Sequence, residues 1–325
     1  MSLNRRVRVG ARSRRGLALF AAAAGMAVAV LPVIATPAVA NVPTNRLTGY
    51  QIVYGATTTI NAGQTVGAGV WCPKGKTVTS GGVIAHSPMT FINSSFPLST
   101  SAWHVTVTDT GNETFPEQFT PYAVCVNTSS VPGYHQVQSA ALPVGPNTYY
   151  GPNIAAADAY CNSGEVAIGG GVRTDNASTF LTVSRPTTDT QAWEVYVHLT
   201  NPPQGGVAYY QVFSVCIPSA DVSSYTIANA TYGQFGTFLD ITQPGATATT
   251  VPPGVFNTAG SGFCADGQLA VAGGATNHDQ INGFISSVSP ATGGKYWVVT
   301  DTNINPPTTY SEYFLPNAVC VSATA

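Results

Sequence analysis

The sequence predicts an all-β protein built from three homologous repeats. A set of landmarks recurs three times; alternating β-branched and aromatic runs dominate the chain outside its N-terminus; and Gly and Pro, 33 and 23 residues of 325, break each run after a few positions. The landmarks are Trp71-Cys72, Gly75, Gly81-Gly82, Trp103 and Cys125; Tyr160-Cys161, Gly164, Gly170-Gly171, Trp193 and Cys216; and Phe263-Cys264, Gly267, Gly273-Gly274, Trp297 and Cys320. They include every cysteine and every tryptophan. First cysteine to tryptophan is 31, 32 and 33 residues, tryptophan to second cysteine 22, 23 and 23, and first cysteine to the Gly-Gly pair 9 in each copy. Pro97, Pro186 and Pro290 precede the tryptophans by six or seven residues, and Val124, Val215 and Val319 precede the second cysteines. This is one supersecondary unit in triplicate.

Each copy is expected to offer a strand ending at the aromatic-Cys step, one around the Gly-Gly pair, one starting at Trp and one ending at the second cysteine. Trp103–Thr108, Trp193–His198 and Tyr122–Val126 show the period-two alternation most clearly. The Gly-Gly pair marks a bulge or a close approach, with the tryptophan of the same copy as the ring that lies against it. Trp103, Trp193 and Trp297 therefore read as core, not as sugar platforms, and Trp71, Tyr160 and Phe263 are expected in the core beside their cysteines. Segments 126–160 and 217–263, with Tyr149-Tyr150 and Phe235 to Leu239, should supply further strands and loops. The architecture expected is a pseudo-threefold β-prism or trefoil-like body, the alternative being three tandem small β-sandwiches. The repeats are bounded as 41–131, 132–222 and 223–325.

Residues 1–40 read as a signal peptide. Six arginines and no acid occupy 1–16, an apolar stretch follows from Leu17 to Ile34, and Ala38-Val39-Ala40 matches the small-residue cleavage pattern. A membrane anchor is the rival, since the stretch is nearly long enough to span. Cleavage leaves six of the 12 Lys and Arg against 14 acids, a net charge of −8. Phosphate binding needs clustered cations, so nucleic acid is excluded as a partner, and so is an anionic membrane surface. Only 8% of residues are charged, against about 25% in typical soluble proteins. A polar but non-ionic surface suits an extracellular or cell-wall setting.

Two cysteines per copy in an exported chain imply three disulfides, most simply Cys72–Cys125, Cys161–Cys216 and Cys264–Cys320. No C-x-x-C or H-x-x-x-H spacing supports a metal, and no cofactor is expected. The pattern aromatic-C-x2-G-x5-G-G, then W, then V-C, resembles a module of secreted, mostly uncharacterised actinobacterial β-repeat proteins. That resemblance covers nearly all of the chain after residue 40. It implies an extracellular β-module and carries no catalytic assignment.

Chemistry is sparse. No H-E-x-x-H, G-x-S-x-G or phosphate loop occurs. The acids stand singly, so a glycosidase pair would join residues distant in sequence, among Asp109, Glu113, Glu117, Glu165 and Glu194. His104 and His198 read as exposed strand residues. Fourteen residues after the first cysteines stand His86, Asp175 and His278. Together with Asn176, Asn277 and Asp279 they are the candidate ligand-binding residues, on loops that a threefold body would bring to one end. The function expected is non-catalytic carbohydrate binding, with a glycan or wall polysaccharide as partner. The alternatives are a surface interaction protein or inhibitor with an extracellular protein partner, and a secreted hydrolase whose asymmetry lies at Glu194 or in 245–262.

Overall fold

The computed structural model describes residues 46–87, 89–111, 116–146, 153–202, 207–229, 249–251, 256–277, 283–303 and 312–325. The signal-peptide reading, Tyr149-Tyr150 and the Phe235–Leu239 segment lie outside them. The described chain is β throughout, apart from three short 3-10 turns.

The first copy contains β1 (Gln51–Tyr54), β2 (Thr58–Ile60), β3 (Thr65–Trp71), β4 (Lys76–Ala85), β5 (Thr90–Ser99), β6 (Ala102–Asp109) and β7 (Glu117–Asn127). The second contains β8 (His135–Gln138), β9 (Leu142–Val144), β10 (Ile154–Tyr160), β11 (Glu165–Thr174), β12 (Thr179–Pro186), β13 (Ala192–Leu199) and β14 (Ala208–Pro218). The third contains β15 (Thr226–Asn229), β16 (Thr249–Val251), β17 (Phe256–Phe263), β18 (Gln268–Asn277), β19 (Gly283–Pro290), β20 (Tyr296–Asn303) and β21 (Glu312–Ser322). Five antiparallel pairings recur in each copy. In the first they are β1–β7, β2–β7, β4–β7, β3–β6 and β5–β6. The same register shift recurs as well, at Val78/Ser80, Ala167/Gly169 and Ala270/Ala272, so a bulge precedes every Gly-Gly pair.

The bulge serves the two glycines differently. A Cβ on Gly81, Gly170 or Gly273 would lie 2.3, 2.3 or 2.4 Å from Cγ of the same copy's tryptophan. Those tryptophans are buried, with the core role expected of them. The indole N–H of Trp103 donates to Ser95 Oγ at 2.9 Å and that of Trp193 to Ser184 Oγ at 2.8 Å. The second glycine faces the neighbouring copy. A Cβ on Gly171 would lie 1.8 Å from Ser95 O, and one on Gly274 1.9 Å from Ser184 O. At Gly82 the corresponding neighbour is Val288, which takes the register position of those serines.

These contacts join the copies in a cycle. β5 pairs with β11 through Ser95 and Val172, and β12 with β18 through Ser184 and Ala275. β19 meets β4, where Ser287 Oγ donates to Val83 O at 3.1 Å. Phe91, Phe180 and Phe284, one from each copy, form a buried cluster with ring centroids 5.2 to 5.6 Å apart. The first copy also reaches the third through Tyr50, whose hydroxyl donates to Ala270 O at 2.9 Å, and through a bridge between Leu47 and Ala323. Two of the four sheets cross copy boundaries, and none closes into a barrel. Free-standing tandem sandwiches and a trefoil barrel are both excluded for the described residues.

The three disulfides are those expected, with Cα–Cα distances of 5.7, 5.6 and 5.4 Å. Two expectations of burial are corrected. Trp71 and Tyr160 are 62% and 55% exposed, and Phe263 is half-buried against Tyr296, 4.8 Å between centroids. The cause is the period of a strand: neighbouring residues face opposite sides, so a buried cysteine turns the residue before it outward. Val70 and Cys72 are buried around Trp71, and Ala159 and Cys161 around Tyr160. The histidines are corrected too. His104 and His198 are half-buried, and His198 lies flat on Phe284 at 5.7 Å.

Candidate functional site

β5 and β12 follow the loops after the first two Gly-Gly strands and, with β19, begin beside the Phe91–Phe180–Phe284 cluster, so those two loops lie at one end. His86 is exposed just past β4; its backbone N–H donates to Gln118 O at 3.0 Å and its Nε2 lies 3.2 Å from Thr120 Oγ1. Asp175 is exposed just past β11, and its Oδ1 accepts the Tyr209 backbone N–H at 2.8 Å. Asn176 Oδ1 accepts the Ser178 N–H at 2.7 Å, an Asx turn. These contacts brace the loops against the strands beside them. Asn277 ends β18, its backbone in register with Phe314. His278 and Asp279 lie outside the described residues.

The acids are mostly engaged. Asp109 is fully buried and accepts the Gly111 N–H at 2.8 Å. Glu165 accepts the Asn162 N–H at 2.8 Å and pairs with His135 at 3.3 Å. Glu194 holds Arg185 Nε at 2.6 Å. Asp158 stands opposite Glu194 across β10–β13, and burial, followed by the charge of Glu194, raises its carboxyl above the ordinary range. Glu117 opens β7, and Glu113 lies outside the described residues. One trio among the described residues, His135, Glu165 and Cys216, gathers potential metal ligands, but the Cys216 sulfur is bonded to Cys161.

The feature that sequence reading missed is an aromatic on the outward side of β3 and again of β10. A Cβ on Gly69 would meet Trp71 Cη2 at 2.9 Å, so the indole lies back along its own strand over a residue with no side chain. Tyr160 leans the same way, its hydroxyl 3.3 Å from Asp158 Oδ2, and Asp158 holds the position of Gly69. Beside Trp71 on the same face are His104 and Thr106, joined at 3.3 Å; beside Tyr160 are Glu194 and Tyr196. Burial, then the charge of Arg173, lowers the His104 pKa, so its ring is neutral near pH 7. The missed signal was available: an aromatic immediately before a bridged cysteine in an alternating strand must face away from the bridge.

No known family model matches the chain, and no curated protein is similar to it.

Proposed function

We propose that this chain is an exported, non-catalytic carbohydrate-binding protein, and that it contacts glycans through Trp71 and Tyr160. The observation that carries the reading is the exposure of these two rings, 62% and 55%, at the same place in two copies. Leaving a large aromatic in water forgoes about 1.5–3 kcal/mol of burial, and a ring laid flat along a strand offers its free face to a pyranose. Hydroxyl, imidazole and carboxylate groups at its rim would bond sugar hydroxyls. Two such faces on one rigid body make binding bivalent, which raises affinity for a polymer without new contacts. Three disulfides suit an oxidising compartment, and no described helix is long and apolar enough to cross a membrane.

The test is a glycan array carrying bacterial and fungal wall polysaccharides, probed with the purified chain and with Trp71→Ala/Tyr160→Ala. Loss of at least tenfold in affinity at unchanged melting temperature is expected. A blank array would reject glycan contact through these rings and direct the search to a protein partner, and an undiminished double variant would reject Trp71 and Tyr160 as the contact.

A further inference from the structure

The junctions between copies are built on equivalent positions but filled differently. Between the first and second copies, Phe96 of β5 and Phe213 of β14 stack, ring centroids 5.2 Å apart, and both are nearly buried. The register makes Arg185 the counterpart of Phe96, since Phe96 faces His104 and Arg185 faces Glu194. It makes Asn317 the counterpart of Phe213, since these face Gly274 and Gly171. Between the second and third copies these two positions therefore carry no aromatic ring, and among the described residues a cleft of about 530 Å³ opens, with Arg185 and Asn317 in its wall. At the remaining junction the counterpart is Tyr122, fully buried, with its ring 6.1 Å from Trp297.

One feature marks this cleft as more than a packing gap. Asn317 is 3% exposed, and its Oδ1 has no hydrogen-bond partner among the described residues. A buried acceptor left unmet costs about 1–3 kcal/mol, and native structures keep few of them. Thr190, also in the wall, closes the β12–β13 turn, its N–H donating to Thr187 O at 3.0 Å, and its φ of +66° matches that of Gly294 in the equivalent turn of the third copy. An unmet buried acceptor in the wall of a cleft is what a site organised for a ligand shows.

The lining indicates the ligand. Thr188, Thr190 and Thr276 supply hydroxyls, and Pro186, Ile227 and Leu315 supply apolar surface. The one cation among the described lining residues is engaged within the protein: Arg185 Nε contacts Glu194 at 2.6 Å and its Nη1 donates to Thr276 at 2.9 Å. Its charge is offset by Glu194, so an anion is not favoured. We infer that the cleft binds one neutral, hydroxyl-bearing ring, a single saccharide unit, which hydrogen-bonds the Asn317 side chain and lays an apolar face on Pro186, Ile227 and Leu315. The inference deepens the carbohydrate-binding reading and rests on it for the ligand class, but it adds a site that occurs once per chain and does not use Trp71 or Tyr160.

The experiment titrates the purified chain with free glucose, galactose, mannose and N-acetylglucosamine, and with glucuronate as an anionic control, reading saturation transfer and amide shifts. At least one neutral sugar should bind at millimolar concentration with shifts at Ile227, Thr276 and Asn317, and glucuronate more weakly. Asn317→Leu removes the acceptor and should weaken binding at least tenfold without loss of melting temperature. Arg185→Phe/Glu194→His/Asn317→Phe, which copies the Phe96, His104 and Phe213 arrangement, should abolish it. No transfer from any of the four sugars, or an Asn317→Leu variant that binds like wild type, overturns the inference. Trp71→Ala/Tyr160→Ala should leave this titration intact. Array binding with a silent cleft would overturn the cleft alone; a sugar-binding cleft with a blank array would overturn the exposed-aromatic site alone.

Discussion

Replacing Gly171 by alanine tests whether the copies are joined by backbone approach. The added Cβ would sit 1.8 Å from Ser95 O and 2.9 Å from Ser95 C, and real Cβ atoms essentially never approach closer than 3.0 Å. β11 and β5 must therefore separate by roughly 1.2 Å at this point, and the obstacle is main chain, which has no rotamer to change. Overpacking of this kind costs about 1–3 kcal/mol, and more where backbone must move. The Ser95–Val172 pairing and the Phe96–Phe213 stack lie within the displaced region. Alanine restricts the unfolded chain and recovers only about 0.4–1 kcal/mol. With main chain as the obstacle the cost lies at or above the top of that range, so the net expectation is a loss of about 2–3 kcal/mol, or roughly 4–10 °C in Tm for a chain of this size. Gly75→Ala is the control: φ is +85°, but nothing lies within 4 Å, so only backbone strain of about 1–2 kcal/mol applies. Urea and thermal unfolding of both variants measure the difference. A Gly171→Ala protein as stable as Gly75→Ala would refute the close-approach argument.

Further expectations follow from the core and the bridges. Cys161→Ser/Cys216→Ser should cost about 4 kcal/mol by the loop-closure estimate for 55 residues, against less than 1 kcal/mol for Asp175→Ala; equal melting temperatures would remove the bridge as a main support. Trp193→Ala, at a site 1% exposed, should cost about 3–5 kcal/mol in the same assay. Asp301 occupies the register position that Val107 and Val197 hold in the other copies, and burial raises its carboxyl well above the ordinary range. Because the folded pKa is raised, its contribution is full below the unfolded value near 4 and is lost as pH rises toward the folded value, at up to about 1.4 kcal/mol per pH unit. Asp301→Val should therefore raise Tm above pH 5 and flatten the pH dependence, measured by melting from pH 3 to 9; a parallel pH profile would reject this.

The strand scaffold was legible because its constraints are local and repeated. A cysteine pair repeated at separations of 53, 55 and 56 residues names its own bridges, and a Gly-Gly pair nine residues after each first cysteine, followed at a near-constant distance by a tryptophan, names the ring that needs room. Strand periodicity was applied less consistently. It was used to place Trp103 inward but not to turn Trp71 outward, although both rest on the same alternation. Strand β5 and its equivalents were not anticipated: Thr90–Ser99 holds three serines and an asparagine, and Asn93 and Ser94 are buried where they meet another copy. Asn93 illustrates this, donating to Ala177 O and Thr179 O of the second copy at 2.8 and 2.9 Å. Such contacts depend on how copies assemble, which no single window of sequence encodes.

The junction residues carry that point into function. Phe213, Asn317 and Tyr122 occupy one register position on one kind of strand, each facing the second glycine of its pair. A scaffold that fixes this position three times leaves its side chain free to differ, because neither the bridge nor the Gly–Trp contact depends on it. Two copies use the freedom to bury an aromatic ring. The third places an amide there, keeps its oxygen without a partner, and leaves a cleft where the ring would be. If packing alone governed the position, an apolar residue would be the more stable choice, since a buried acceptor without a partner lowers stability. Asn317→Leu thus separates the two roles in one protein: a gain in Tm with loss of sugar binding marks a residue kept for its ligand, and a loss of Tm marks one kept for the fold.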